Sequence, residues 1–216
     1  MARKVKHYSG YNSKTPDRLL LDAGALFLNF TVGTDTYATA KAAGKCIGAT
    51  QKGSEFSAKP ILRRIELDGV HTRTIGDTLI DGWEVFLKTT VAEMTVDNIK
   101  NALGAATSAA ITTGSMSGNT KIEGRDTILA SDYISNITFI GNLLGEDDPV
   151  IIQVFNAFNE NGLGMSFADK NNAGVEVQFY GYLNDTVYDS SVDSIAPPFA
   201  IYRPTEASTV SQGGTT

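Results

Sequence analysis

Side chains able to do chemistry are scarce in this 216-residue chain: two histidines, His7 and His71, and a single cysteine, Cys46. One cysteine excludes an intrachain disulfide and any all-cysteine zinc site. Both histidines fall in the first third of the sequence, in no context that suggests a Ser–His–acid triad. Gly48-Ala-Thr-Gln-Lys-Gly53 keeps the outer glycines of a phosphate loop, but Ser54 and Glu55 stand where Lys and Ser/Thr must follow. That leaves no counter-charge for a γ-phosphate. Gly114-Ser-Met-Ser-Gly118 places Met116 where a nucleophile elbow needs serine. Glu146-Asp147-Asp148 offers carboxylates to a hard cation, yet no EF-hand spacing surrounds it, and before Pro149 it reads as a solvated turn. No carboxylate pair is singled out for glycoside hydrolysis. Cys46, between Lys45 and Ile47, reads as a small buried hydrophobe. Ile122-Glu-Gly-Arg125 matches the cleavage sequence of a tag-removing protease and is read as chance. The expectation is no catalytic residue, no cofactor and no metal, and a structural or binding role.

Composition narrows that role. The chain has a mass of 23.0 kDa and mean hydropathy of −0.09. Only 19% of its residues are charged, against 42% hydrophobic. This is the balance of one globular domain, not of a disordered acidic segment. A chain of this size buries roughly 70% of its unfolded surface and needs no staple to fold. The most apolar stretch, Leu19 to Phe30, is interrupted by Asp22 and Asn29 and is too short to span a bilayer. Met1 to Lys6 is basic, but no apolar run follows it as in an export signal, so a cytoplasmic site of synthesis is expected.

Charge is polarised along the chain. Residues 1–73 hold 12 Lys+Arg and 6 Asp+Glu, leaving 6 bases and 18 acids for the rest. A basic third and an acidic remainder fit either a nucleic-acid-gripping arm or head-to-tail self-assembly. A sequence pI near 4.9 argues against tight DNA binding. Arg3, Lys4, Lys6, Lys14 and Arg18 make residues 1–18 a candidate basic arm reaching a neighbouring copy.

The hydrophobic period is mostly two. Trp83, Val85 and Leu87 share one face of a half-buried strand, and Val175, Val177 and Phe179 share one face of another. Ile61, Ile65 and Leu67 alternate with Leu62, Arg64 and Glu66, and Tyr133, Ile137 and Phe139 mark a further strand. In Val150 to Phe158 both faces are apolar, so Val150, Ile152, Val154, Phe155 and Phe158 belong either to a central strand or to a subunit interface. Asn159-Glu-Asn-Gly162 between apolar runs predicts a hairpin turn. One helix is predicted at 96–103. Thr95 is its N-cap, Asp97 lies in its first turn and Gly104 is its stop, with Val96, Ile99, Ala102 and Leu103 on the apolar face. A second helix near Asp35 to Ala43 is weakened by Thr34, Thr36 and Thr39. Residues 104–119, rich in Gly, Ala, Ser and Thr, predict a flexible loop, and 205–216 a flexible tail. The predicted core is Trp83, Val85, Leu87, Ile99, Leu103, Val177 and Phe179.

Several of these segments, in order, resemble the tail tube (major tail) proteins of bacteriophages. They are Gly48 to Phe56 with Arg64-Ile-Glu-Leu-Asp-Gly-Val70, then Asp81 to Thr90 running into Thr95 to Gly104. Asp132-Tyr133 with Ile137 to Gly141, and Gly174 to Tyr182, complete the likeness, which covers about Leu20 to Pro204. The resemblance implies a mainly β domain over 19–204, a β-sandwich or barrel-like fold with one flanking helix. It implies hexameric rings stacked head to tail into a hollow tube in the virion tail. The partners it implies are the chain itself, tape-measure and tail-completion proteins, and DNA that passes without specific binding, with no membrane. An acidic lumen suits such transit, because a basic one would hold the phosphates by releasing their counterions. The tube of a bacterial contractile or secretion machine fits the same residues. A β-sandwich that binds a receptor or glycan through Tyr180, Tyr182, Tyr188 and Tyr202 is the alternative of a different class.

Overall fold

The computed structural model describes residues 9–12, 15, 19, 24–143, 148–165, 174–188 and 195–204. The fold is mainly β. In chain order the elements are β1 (Ala25–Leu28), α1 (Tyr37–Ala42), β2 (Thr50–Arg64), β3 (Thr78–Val91), α2 (Val96–Leu103), β4 (Ala106–Ala110), β5 (Thr120–Gly124), β6 (Ile134–Gly141), β7 (Val150–Asn159), β8 (Gly164–Met165), β9 (Val175–Tyr180) and β10 (Phe199–Tyr202). The main sheet runs β1-β6-β7-β9-β3-β2, all antiparallel, with β10 on β7 and β8 on β9.

β7 bends this sheet over on itself. Its first part pairs with β6 on one edge and β10 on the other. Asn156, at φ 46°, then turns the strand, and Phe158 and Asn159 pair with β9. The two halves therefore face each other across one core. Leu26, Ile137 and Val154 from the first half meet Val85, Leu87, Val177 and Phe179 from the second. The far side is closed by rings: Phe199 of β10 lies 5.5 Å from Trp83 and 5.8 Å from Phe56.

The apolar pattern of β7 on both faces is satisfied within the chain. One face joins the main core. The other lies under a second cluster in which Ile151 packs with Phe27, Phe30, Ala40 and Ile140. The central-strand reading is the one observed, and burial of Val150, Val154 and Phe158 under a neighbouring subunit is corrected. All three are buried by their own chain, while Ile152 and Phe155 are half-buried.

α2 occupies the predicted residues. Thr95 Oγ1 accepts from the Asn98 amide at 3.1 Å, and Gly104 ends the helix at φ 75°. A side chain on Gly104 would meet the Phe158 ring at 2.7 Å, so glycine there serves packing as well as backbone geometry. The buried face differs from the apolar stripe: Asn98 and Ala102 are buried, Ile99 and Leu103 only half-buried, and Val96 is exposed. Asn98 is inside because its Nδ2 donates to the main-chain oxygens of Ile47 (2.8 Å) and Glu93 (2.9 Å). Of the remaining predicted core, Val85, Leu87, Val177 and Phe179 are buried and Trp83 is half-buried against them.

Three local expectations are corrected. α1 is a second helix, and two of the threonines that weaken its interior build its cap. Thr36 Oγ1 accepts from the Thr39 amide, and Thr39 Oγ1 accepts from the Thr36 amide at 2.7 Å. Residues 104–119 are not one loop, since Ala106–Ala110 pairs with Thr120–Gly124 as a hairpin. Asn159 to Gly162 does not reverse the chain. Phe158 and Asn159 oppose Tyr180 and Phe179, and Gly164 and Met165 continue along the same edge opposite Glu176 and Val175. The segment is a bulge, and Asn159 spans it. Its Nδ2 donates to the oxygens of Ala102 (2.5 Å) and Gly162 (3.1 Å), and its Oδ1 accepts from the Gln178 amide at 3.2 Å.

Candidate self-assembly surface

β2 and β3 form the longest ribbon of the molecule, paired from Thr50↔Val91 to Arg64↔Thr78. At about 3.3 Å per residue its 15-residue strand spans about 50 Å. Near the body, Lys52 (φ 63°) and Gly53 (φ 77°) form a left-handed bulge opposite Thr89 and Thr90. The glycines that mimic a phosphate loop thus lead into an extended strand. Phe56 and Ala58 then pack on the core.

Beyond Pro60 the ribbon leaves the body, and its apolar residues lose their cover. Leu62 stands opposite Ile80, and Arg63 opposite Leu79. Ile61, Leu62, Leu79 and Ile80 are all exposed, as are Ile65, Leu67, Val70 and Ile75 in the connecting tip. Ile65 and Leu67, expected to continue the strand, lie in that tip, which the Ile65 amide closes by donating to the Asp77 oxygen at 2.7 Å. Single exposed aliphatics are ordinary, but eight on one element make it a candidate interaction surface.

The tip is ordered by polar groups. Asp77 is buried, accepts from the Thr74 amide and the Thr78 hydroxyl at 2.9 Å each, and pairs with Arg64 at 3.3 Å. The hydrogen bonds from Thr74 and Thr78, with the Arg64 charge, hold its carboxyl below the ordinary range. Arg63 binds Asp81 through both carboxylate oxygens, at 2.9 and 3.1 Å. At the body end, Lys88 and Glu176 pair across β3 and β9 at 2.6 Å, which lowers the Glu176 pKa and raises that of Lys88.

The outer edge of β2 is open. It ends the sheet, and among the described residues no strand pairs with it. The opposite end is covered, because β1 bonds to the 45–47 segment (Leu28 amide to Lys45 oxygen, Ile47 amide to Leu26 oxygen). β10 presents a second, four-residue edge beside β7, where Ile201 and Tyr202 are exposed.

The chemistry-bearing side chains do not converge. His71 sits exposed in the ribbon tip, Cys46 is half-buried beside Phe27, and His7 lies outside the described residues. Among the described residues no His, Cys, Asp and Glu group forms a cluster able to hold a metal. Asp148 is exposed; Glu146 and Asp147 lie outside the described residues, as do the arm residues Arg3, Lys4, Lys6, Lys14 and Arg18 and the tail 205–216. Of the four tyrosines read as a glycan-binding alternative, Tyr182 and Tyr188 line one groove together with Trp83. The Tyr182 hydroxyl donates to Glu160, and burial with that carboxylate raises its pKa. The Tyr180 hydroxyl accepts from Gln178 Nε2 at 2.8 Å, and Tyr188 and Tyr202 are exposed.

The ribbon's sequence signal was present but reads two ways. Apolar residues fall on both phases of the alternation, at Ile61–Leu62 and Leu79–Ile80, around Asp68-Gly69. Period two fits a strand in a core and a strand projecting from one equally well. No protein-family model matches the chain, and no curated protein matches it.

Proposed function

We propose that this protein is a structural subunit that polymerises through its sheet edges and ribbon, as rings stacked head to tail in a hollow phage tail tube. The observation that carries the reading is the 15-residue open edge of β2, continuing into an uncovered apolar ribbon. A long exposed strand edge is an aggregation hazard in a monomer, and a subunit built to assemble turns that hazard into its bonding surface. The mainly β body and α2 agree with the expectation set by the resemblance.

The role is geometric and involves no catalytic step. A net charge of −6 per copy suits a conduit for DNA, because a duplex slides past an acidic wall and stalls on a basic one. Only charges within about 8–10 Å of the channel act on the duplex at physiological salt. Ring-to-ring stacking is a heterologous contact, which propagates instead of closing. Tape-measure and tail-completion proteins are the further partners of this reading.

Negative-stain microscopy of the purified chain tests it. Rings or hollow filaments of uniform diameter are expected. A chain that sediments as a monomer at every concentration overturns the reading.

A further inference from the structure

We infer that Asn161 and Gly162 form a self-modification site, at which the Gly162 main-chain nitrogen displaces ammonia from the Asn161 side chain and leaves aspartate or isoaspartate in its place. The inference does not depend on how copies of the chain associate.

Sequence and fold together place the two residues for this. Asparagine is thermally labile, and Asn161 is the one asparagine in the chain that a glycine follows. Glycine offers its nitrogen with no Cβ to screen it. The pair lies in the bulge between Asn159 and Gly164, outside the ladder to β9 on either side. Asn161 is exposed, and one contact holds its side chain, Nδ2 donating to Gln178 Oε1 at 3.2 Å. Gly162 takes φ 69°, and a Cβ built on it would meet nothing within 4 Å, so a ring has room to close. The Gly162 oxygen accepts from Asn159 Nδ2 at 3.1 Å, but among the described residues its amide N–H has no acceptor. The nucleophile is free while the residue that carries it is held in place.

Other asparagines lack one of these conditions. Asn159 is 2% exposed. The Ile99 amide after Asn98 is bound to the Thr95 oxygen at 3.0 Å, and the Phe30 amide after Asn29 to Asn136 Oδ1 at 2.9 Å.

The reaction needs no reagent but water. Solvent base takes the Gly162 amide proton, and the nitrogen attacks Asn161 Cγ. A new C–N bond forms as the Cγ–Nδ2 bond breaks, and Nδ2 leaves as ammonia. Water then opens the resulting succinimide. Addition at the side-chain carbonyl gives aspartate, and addition at the main-chain carbonyl gives isoaspartate. Either product replaces a neutral amide by a carboxylate. Gln178 loses its donor, and the new charge stands next in sequence to Glu160, which already accepts from the Tyr182 hydroxyl. Isoaspartate also lengthens the main chain by one methylene, inside the span that Asn159 bridges to Gly162.

Incubating the full chain at mildly alkaline pH, followed by ion exchange and peptide mapping, tests the site. A more acidic species is expected to accumulate, with its mass change at residue 161. Both aspartyl and isoaspartyl forms are expected, the second one accepting methyl groups from an isoaspartyl methyltransferase. Asn161→Gln is expected to abolish the species, because glutamine must close a larger ring. Chain unfolded in guanidinium gives the rate without the fold, and the native chain is expected to match it within a few-fold. Conversion in the unfolded chain alone, or in neither, overturns the inference, since the pair is then locked or inert. Aspartate without isoaspartate overturns it too, because direct hydrolysis needs no Gly162 nitrogen. So does an acidic species that persists undiminished in Asn161→Gln.

Discussion

Leu62 and Ile80 stand directly opposite each other on the β2–β3 ribbon, and each is 58% exposed. A cross-strand aliphatic pair stabilises its ribbon by roughly 0.2–1 kcal/mol, far less than two such side chains gain when fully buried. The pair's larger contribution therefore awaits a covering surface. Replacing both by threonine is expected to lower monomer stability by less than about 1 kcal/mol in urea titration, because β-branched residues keep the strand. The same variant is expected to lose self-association in sedimentation velocity. Unchanged assembly would remove the distal ribbon from the contact.

Asn159 ties three places together: the end of α2 through the Ala102 oxygen, the bulge through Gly162, and β9 through the Gln178 amide. Asn159→Ala leaves these groups unpaired in a site only 2% exposed. The expected loss is about 1–3 kcal/mol in chemical denaturation. Asn161→Ala, at an exposed position two residues on, serves as the control and is expected to stay within about 0.5 kcal/mol.

What the sequence discloses here follows how local each cause is. α2 was legible end to end, because Thr95 and Gly104 act on their own neighbours. β3 and β9 were legible from alternation alone. α1 is hard to read from sequence because Thr36 and Thr39 disfavour a helix interior, whereas in the fold they form its cap. The β4–β5 hairpin carries small residues with no period, so its pairing left no trace in the pattern. The bulge at Asn159 looks like a turn because its direction is set by β9, distant in sequence. The candidate surface suffers the same ambiguity, since an apolar residue names no partner. Ile151 is covered by Phe27 and Phe30 from the chain's own start, whereas Ile61 is left 53% exposed.

Asp77 makes the tip sensitive to acid. Its carboxyl is held below the ordinary range by the Thr74 and Thr78 hydrogen bonds and by Arg64, so it binds a proton less readily folded than unfolded. A depressed carboxyl stabilises above its unfolded pKa, about 4, and that contribution is lost as pH falls through the folded value. Amide exchange in residues 65–77 is therefore expected to rise below about pH 4 relative to the β3–β9 ladder, after correction for the intrinsic pH dependence of exchange. Asp77→Asn is expected to show raised tip exchange already at pH 7 and little further loosening in acid. A wild-type tip equally protected at pH 3 and pH 7 would refute this.

Ile122-Glu-Gly-Arg125 is a protease recognition sequence that the fold withholds. Ile122 to Gly124 are laddered to β4, the Arg125 amide donates to the Ala105 oxygen at 2.9 Å, and the Arg125 guanidinium is paired with Asp132. A protease that reads these four residues must take them as a free extended strand, with the arginine in its own acidic pocket. Both demands compete with bonds the native chain already makes. Cleavage after Arg125 then requires local opening of the β4–β5 hairpin, and its rate follows the population of that open form. The native protein is expected to resist the protease over hours, while chain unfolded in urea and diluted into the assay is cut at once. Asp132→Asn weakens the hold on Arg125 and is expected to speed cleavage of the folded protein several-fold without a matching loss in global stability. Equal cutting of native and unfolded chain would mean that the hairpin does not stay closed in solution, and the two-stranded pairing of Ala106–Ala110 with Thr120–Gly124 would have to be given up.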